Sequence, residues 1–282
     1  MKIHGVTYRH PLRNIMDEST ASGGAAADTK CYEFDGSTSY MTSTYSWDHY
    51  GMNDTGPSPQ TGPWTISIWF KITTGTGYQS LIEFRNGTGS LSDMCRVQIG
   101  ADASAAYSIR FQAYQYGVDQ TGGVGVGGSG SGSWFGGPHS TAGGVDPYDG
   151  AWHHLAMTCE GVASTGQVKM YYDAVVIGSA TQKTSVINPL GIAYLAGDHY
   201  PYRFGGRIAQ MALFASEFNQ TAITGLYNGG SGINPSALSP YVLLRMGDNP
   251  GDTTSLAIDE GSSGRNFVGI NPGAITIVTD SP

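Results

Sequence analysis

Trp64-Thr65-Ile66-Ser67-Ile68-Trp69-Phe70-Lys71-Ile72 is the stretch from which the fold is read. Trp64, Ile66, Ile68, Phe70 and Ile72 alternate with Thr65, Ser67, Trp69 and Lys71, a strict period of two. Successive side chains of a β-strand point to opposite faces, so this pattern predicts a strand with one face in a core. Shorter runs of the same kind follow over residues 80–84, 96–99, 107–116, 152–159, 167–172, 192–195, 207–214 and 241–246, most of them separated by Gly, Asn or Asp turn signals. No strand–helix alternation appears, which argues against a parallel α/β sheet. One segment has helical spacing: Ile223, Leu226 and Tyr227 stand at i, i+3 and i+4, with Asn219 placed to cap the start and Gly229 to stop the end.

Composition agrees with an all-β chain. Of 282 residues 42 are glycine and 17 tyrosine, while charged residues are only 13%, so the usual helix formers are scarce and turn formers abundant. The length suffices for one large β-sandwich. The formal charge of -8, with 14 scattered Lys and Arg, excludes the cationic stripe that nucleic-acid binding requires. Cys31, Cys95 and Cys159 are odd in number, lack CxxC spacing and lie in or beside strand-like runs, so they are expected to be buried free thiols. The opening Met1-Lys2-Ile3-His4-Gly5 has no apolar stretch of the signal-peptide kind, and no run approaches 18 apolar residues. The expectation is a product of a cytoplasm without a membrane span.

Residues 1–30 are weakly patterned and end near Ser22-Gly23-Gly24-Ala25-Ala26-Ala27, as an arm with a flexible joint would. Residues 122–137 hold nine glycines and the pair Trp134-Phe135, which reads as a long loop with an aromatic anchor; no GxxxxGK[ST] phosphate loop is present.

Four segments together resemble the laminin G-like, concanavalin A-like jelly-roll family. Tyr32-Glu33-Phe34-Asp35-Gly36-Ser37-Thr38-Ser39-Tyr40 resembles its opening hairpin, F-D-G-x-x-x-Y, and Trp64 to Phe70 its F-T-I-S-x-W strand. Gly150-Ala151-Trp152-His153-His154-Leu155-Ala156, followed by Val168 to Asp173, is similar to its G-x-W-H-H-V-A segment and the hairpin after it. Gly205 to Phe214, followed by Ile223 to Gly230, resembles F-x-G-x-I-D-E-V-x-I-F and I-x-x-L-Y-N-G-G, except that Ala209-Gln210 replace the two acids. The resemblance implies a jelly-roll sandwich of two antiparallel sheets with one short helix. The organisation expected is an arm at 1–30, the jelly roll at 31–238 and a strand-rich tail at 239–282 packing on it.

The tail carries a narrower resemblance. Leu244-Arg245-Met246-Gly247-Asp248, then Asp259-Glu260-Gly261-Ser262-Ser263-Gly264-Arg265-Asn266, is similar to a segment that follows such domains in structural proteins of marine tailed bacteriophages. It implies a virion component: a fibre, appendage or decoration subunit, located in the particle, bound to other virion proteins and homo-oligomeric, with a trimer the first guess. The alternative is a stand-alone lectin-like module that binds cell-surface glycan. A divergent glycosidase ranks third.

The residues give chemistry little to work with. Retaining glycosidases need two carboxylates about 5–5.5 Å apart, yet no E-x-D-x-x-E triplet exists; Glu33 and Asp35 are the nearest approach, and Asp35 heads a turn. His153 and His154 are adjacent on a strand, so they point to opposite faces and cannot share a metal; one is expected inside and the other on the surface. Asp198-His199-Tyr200-Pro201-Tyr202-Arg203 is the most suggestive loop, because Tyr and Arg stack on sugar rings and anchor interfaces, although an ordinary polar connection would look the same. Asp198, His199, Tyr200, Tyr202, Arg203 and Trp134 are therefore the candidate glycan or partner contacts. Asp35 and Asp198 are the candidate ligands should calcium bind at the rim.

Overall fold

The structure, a computed structural model, describes residues 28–43, 63–74, 77–85, 94–102, 106–115, 118–119, 133–135, 146–161, 166–181, 192–198 and 202–282. The strands are β1 (Cys31–Asp35), β2 (Tyr40–Ser43), β3 (Trp64–Ile72), β4 (Gln79–Arg85), β5 (Met94–Asp102), β6 (Ala106–Gln115), β7 (Val118–Asp119), β8 (Ser133–Phe135) and β9 (His153–Cys159). They continue with β10 (Gln167–Tyr172), β11 (Val175–Thr181), β12 (Ile192–Leu195), β13 (Gly205–Phe214), β14 (Val242–Leu244), β15 (Leu256–Ala257), β16 (Phe267–Ile270) and β17 (Ile275–Val278), with helix α1 (Gln220–Tyr227) between β13 and β14. One antiparallel sheet runs β11-β10-β9-β3-β13-β1-β17, with β14 also on β13; the other runs β15-β16-β2-β12-β4-β5-β6-β7, with β8 on β6. The fold is the all-β, two-sheet jelly roll with one short helix that the sequence predicts.

Between the sheets, Trp64, Ile66, Ile68, Phe70 and Ile72 meet Met41, Ile82, Phe84, Val97, Ile99 and Leu195. Burial of side chains this size stabilises by roughly 1.5–3 kcal/mol each. The other face of β3 departs from the one-sided expectation. Thr65, Ser67 and Trp69 are buried too, because α1 and the chain after it cover this face. Ile223 and Leu226 of α1 pack on Ala156, Tyr171, Ala212, Phe214 and Leu243, and Tyr227 stacks on Trp69 at 5.8 Å. The Asn219 side chain caps α1 by accepting the Ala222 N–H at 2.9 Å. The helix stops one residue earlier than expected, at Asn228 in the left-handed conformation.

The same cover corrects the reading of the histidine pair. His154, on the α1 side, is fully buried, and His153 is 7% exposed, so neither lies on the surface.

Residues 239–282 add strands to both sheets. On one edge of β13, β1 occupies Gly205–Ile208 and β14 occupies Met211–Leu213. Strand β17 continues beyond β1, while β16 and β15 continue beyond β2. The Arg245–Asp248 segment clamps the start of the described chain. Asp248 accepts the N–H groups of Thr29 and Lys30, and Asp28 accepts from Arg245 Nε and Gln210 Nε2, both at 2.7 Å. Asp259 ties its own loop together by accepting the N–H groups of Leu243, Gly261 and Arg265 at 2.8 Å.

Cys31 and Cys159 are buried free thiols, and burial pushes both up to about 12. Cys95 stands in β5 with its side chain outside the described part, and residues 1–27 of the expected arm also lie outside it. In the glycine-rich stretch only Ser133–Phe135 is described, as a strand pairing Trp134 with Arg110 in register. Among the described residues no helix is long and apolar enough to cross a membrane.

Candidate functional site

The outer side of the second sheet carries charge. Ile82 and Phe84 face the core, so the alternate residues Glu83 and Arg85 face away, and on β5 Arg96 and Gln98 do so between Val97 and Ile99. The register sets Glu83 beside Arg96 on one neighbour and Tyr194 on the other. Arg85 Nε lies 3.3 Å from Glu83 Oε1. Arg96 Nη1 lies 3.7 Å from Glu83 Oε2 and 3.2 Å from Asp198 Oδ2. Asp198 follows β12 and is 1% exposed. Burial and the neighbouring Glu83 push its carboxyl up to about 7, with Arg96 opposing.

Residues 196–198 and 202–204 are tied to this network. Phe204 N–H donates to Ala196 O at 3.0 Å, and Ser80 N–H to Tyr202 O at 3.3 Å. Arg203 Nη1 donates to the Asp198 carbonyl at 2.8 Å while its guanidinium lies 4.2 Å over the Tyr40 ring. A Cβ on Gly197 would come within 3.0 Å of Tyr40 and 3.2 Å of Arg203, so a larger residue there would require these side chains to shift by a few tenths of an ångström. Above the network two tyrosines reach solvent. Tyr78 and Tyr202, 36% and 37% exposed, meet edge to face at 6.3 Å, and the Arg96 guanidinium is 5.9 Å from the Tyr202 ring. Gly100 leaves room for Tyr78, since a Cβ would stand 2.6 Å from its ring. Fixed aromatic faces beside guanidinium groups suit C–H stacking and hydrogen bonding to a polyhydroxylated ligand.

Of the loop residues expected here, Asp198, Tyr202 and Arg203 come together, with Asp198 beneath and Tyr202 at the surface. His199 and Tyr200 lie outside the described residues, as does the Trp134 side chain. Tyr78, Glu83, Arg85, Arg96 and Tyr40 were missed. The readable signal was charge inside period-two strands at Glu83, Arg85 and Arg96.

The two acids considered for calcium have other occupations. Asp35 accepts from the N–H and hydroxyl groups of Ser37, Thr38 and Ser39 at 2.6–3.2 Å, closing the β1–β2 turn. Burial works to raise its carboxyl, but these bonds outweigh burial and hold it well below the usual range. Beside Asp198, Arg96 supplies the positive charge. Among the described residues no cluster of three or more His, Cys, Asp or Glu is arranged to hold a metal.

Glu33 and Asp35 line a shallow cleft of about 270 Å³ with Thr73, Thr74 and Thr276. Glu33 there accepts from Arg207 Nε at 3.1 Å. His153 is held between carboxylates, Nδ1 to Asp173 and Nε2 to Asp149, each at 2.9 Å. His154 Nε2 meets Ser67 Oγ at 2.9 Å beneath Trp69 and Tyr227. Trp152, half-buried, donates to Asp280 at 3.0 Å.

Comparison with solved structures places the same fold in distant proteins. A Bacteroides ovatus protein described as carbohydrate binding superposes with a TM-score of 0.55 at 12% identity, over 90% of this chain and 60% of that one. The SAP-like pentraxin of Limulus polyphemus superposes at 0.50 with 9% identity, over 75% of this chain and 87% of the pentraxin. The chain thus spans 60% of the length of the Bacteroides protein. No curated protein matches it. Residues 44–224 match the laminin G profile of one superfamily, and on that match the chain belongs to the concanavalin A-like lectin/glucanases superfamily.

Proposed function

We propose that the chain is a carbohydrate-binding module whose contact face is the Tyr78–Tyr202 pair with Arg96 and Arg203 beside it. The observation that carries this reading is the exposed edge-to-face tyrosine pair on a buried ionic base. Superfamily membership supports it, as does the fold shared with a protein described as carbohydrate binding. Binding is favoured over hydrolysis because Glu33 is engaged by Arg207 and Asp35 by its own turn.

Glycan-array screening followed by calorimetry on the full chain tests the reading. Tyr202→Ala and Tyr78→Ala should each weaken the best glycan by about tenfold, close to 1.4 kcal/mol. Absence of any glycan ligand, or affinity untouched by both changes, would remove it.

A second reading is a structural subunit of a tailed bacteriophage particle that presents this module. The resemblance of the Arg245–Asp248 segment supports it, together with the use of that segment to anchor residues 28–30, where a preceding tether would pull. Mass spectrometry of purified particles should find the chain at stoichiometric copy number. Its absence from them would end this reading.

A further inference from the structure

The outer side of the second sheet carries a second pair of tyrosines beside Tyr78 and Tyr202. Ala193 and Leu195 face the core, so Tyr194 between them points outward, as does Tyr40 before the buried Met41. The rings of Tyr40 and Tyr194 lie 6.2 Å apart at 30°, both half-buried. One dipeptide joins the two pairs. Tyr202 meets Tyr78, and the guanidinium of the next residue, Arg203, lies over Tyr40 at 4.2 Å. Sheet order fixes the spacing: Tyr194 stands beside Glu83, and Glu83 beside Arg96, whose guanidinium is 5.9 Å from the Tyr202 ring. Two strand intervals, roughly 10 Å, therefore separate Tyr194 from the arginine at the first pair.

The apolar surface does not stop at Tyr194. Thr42 and Val268 continue the same cross-strand row, and Ile192 lies two residues away on β12. Of the six large apolar side chains exposed among the described residues, four lie on this face: Tyr78, Tyr202, Ile192 and Val268. Single exposed apolar residues are ordinary, whereas a run of them marks a binding surface.

We propose, resting on the carbohydrate reading above, that this face binds the interior of a linear polysaccharide chain and not a terminal sugar. One sugar sits on Tyr78–Tyr202 and a later sugar of the same chain on Tyr40–Tyr194. Each pair offers an aromatic surface to the apolar C–H face of a sugar ring. Two such seats, separated along one face, are filled together only by a ligand whose rings repeat. The ionic network beneath holds Arg96, and the Asp198 carbonyl holds Arg203, so the seats stand in place before the ligand arrives and little ordering is lost on binding. Seats that engage one chain act as linked sites, and affinity then rises with ligand length until both are occupied.

The probe is the best-binding glycan of the array, prepared as oligomers from disaccharide to hexasaccharide and titrated calorimetrically against the full chain. Affinity should rise by about tenfold or more from disaccharide to hexasaccharide. Tyr194→Thr, which keeps a β-branched residue in β12, should remove that rise. Tyr202→Ala should weaken binding at every length. Affinity that is the same from disaccharide to hexasaccharide, or a rise that survives Tyr194→Thr, overturns the second seat and leaves the carbohydrate reading standing. Equal weakening of disaccharide and hexasaccharide by Tyr194→Thr overturns it too, because Tyr194 then acts through the first pair or the fold. A chain that binds no array glycan removes both.

Discussion

His153 and His154 are consecutive in the chain, yet their surroundings shift their pKa values in opposite directions. Burial disfavours the imidazolium of both. At His153 the carboxylates of Asp173 and Asp149, one on each ring nitrogen, outweigh burial and raise its pKa. At His154 burial prevails over the more remote Asp173 and pushes the ring down to about 4. Alternation along β9 is the cause, since one ring faces the acids of the 146–149 turn and the β10–β11 hairpin and the other faces Trp69.

Acid should therefore act on the fold through His154. Its stabilising contribution is fully present above pH 6.5 and is lost as pH falls towards 4. The loss is on the order of 3 kcal/mol. Urea unfolding of wild type and His154→Gln at pH 7 and pH 4 checks this. The variant should be less stable at pH 7 and lose less on acidification; equal losses would contradict the assignment.

Asp198 should act with the opposite sign. Its carboxyl is raised from 3.8 to about 7. Its contribution is thus greatest below pH 4 and is lost as pH rises through 7, by a few kcal/mol in order of magnitude. Asp198→Asn should flatten that part of the stability profile, read as melting temperature between pH 4 and pH 8. An unchanged profile would show that Asp198 does not hold its proton in the fold.

The β10–β11 turn places two residues without a glycine in the left-handed region, Asp173 at φ 49° and Ala174 at φ 63°. Glycine adopts this conformation without the Cβ penalty, which is about 1–2 kcal/mol for alanine. Ala174→Gly should stabilise the protein by about 0.5–1 kcal/mol net of the entropy glycine loses. Chemical denaturation measures it, and a destabilised variant would refute the strain.

Asp248→Ala removes the acceptor for Thr29 N–H, Thr29 hydroxyl and Lys30 N–H. The start of β1 should fray at a cost of about 1–3 kcal/mol. Limited proteolysis should then cut near residue 30 faster than in wild type, while the 205–282 region keeps its resistance.

Much of the architecture was legible because a half-buried strand imposes its period on the chain. The runs at 167–172 and 192–195 and the Asn219 cap lie where the residues predict. The double burial of β3 was not legible, because the small polar residues Thr65 and Ser67 look the same under a helix as in water. Only Trp69 on that face hinted at a cover. The candidate site was half legible. The loop with Tyr202 and Arg203 showed itself by composition, whereas Arg96, Glu83 and Tyr78 come from strands and turns about 100 residues away, joined to it only by sheet order. The Arg245–Asp248 segment was visible as a motif, but its bonds to residues 28–30 cross more than 200 positions and leave no local trace.

The placement of β1 and β14 on one edge of β13 also has a kinetic side. Cys31 pairs with Val278, and Tyr40 with Ile270. Neither sheet can be completed until the ribosome has delivered residues 256–278, which hold β15, β16 and β17. Through most of synthesis β1 and β2 must wait with open edges, the state in which strand-rich chains aggregate. Slow passage through that window, more than weakness of the finished sandwich, is the hazard that production of this protein has to manage.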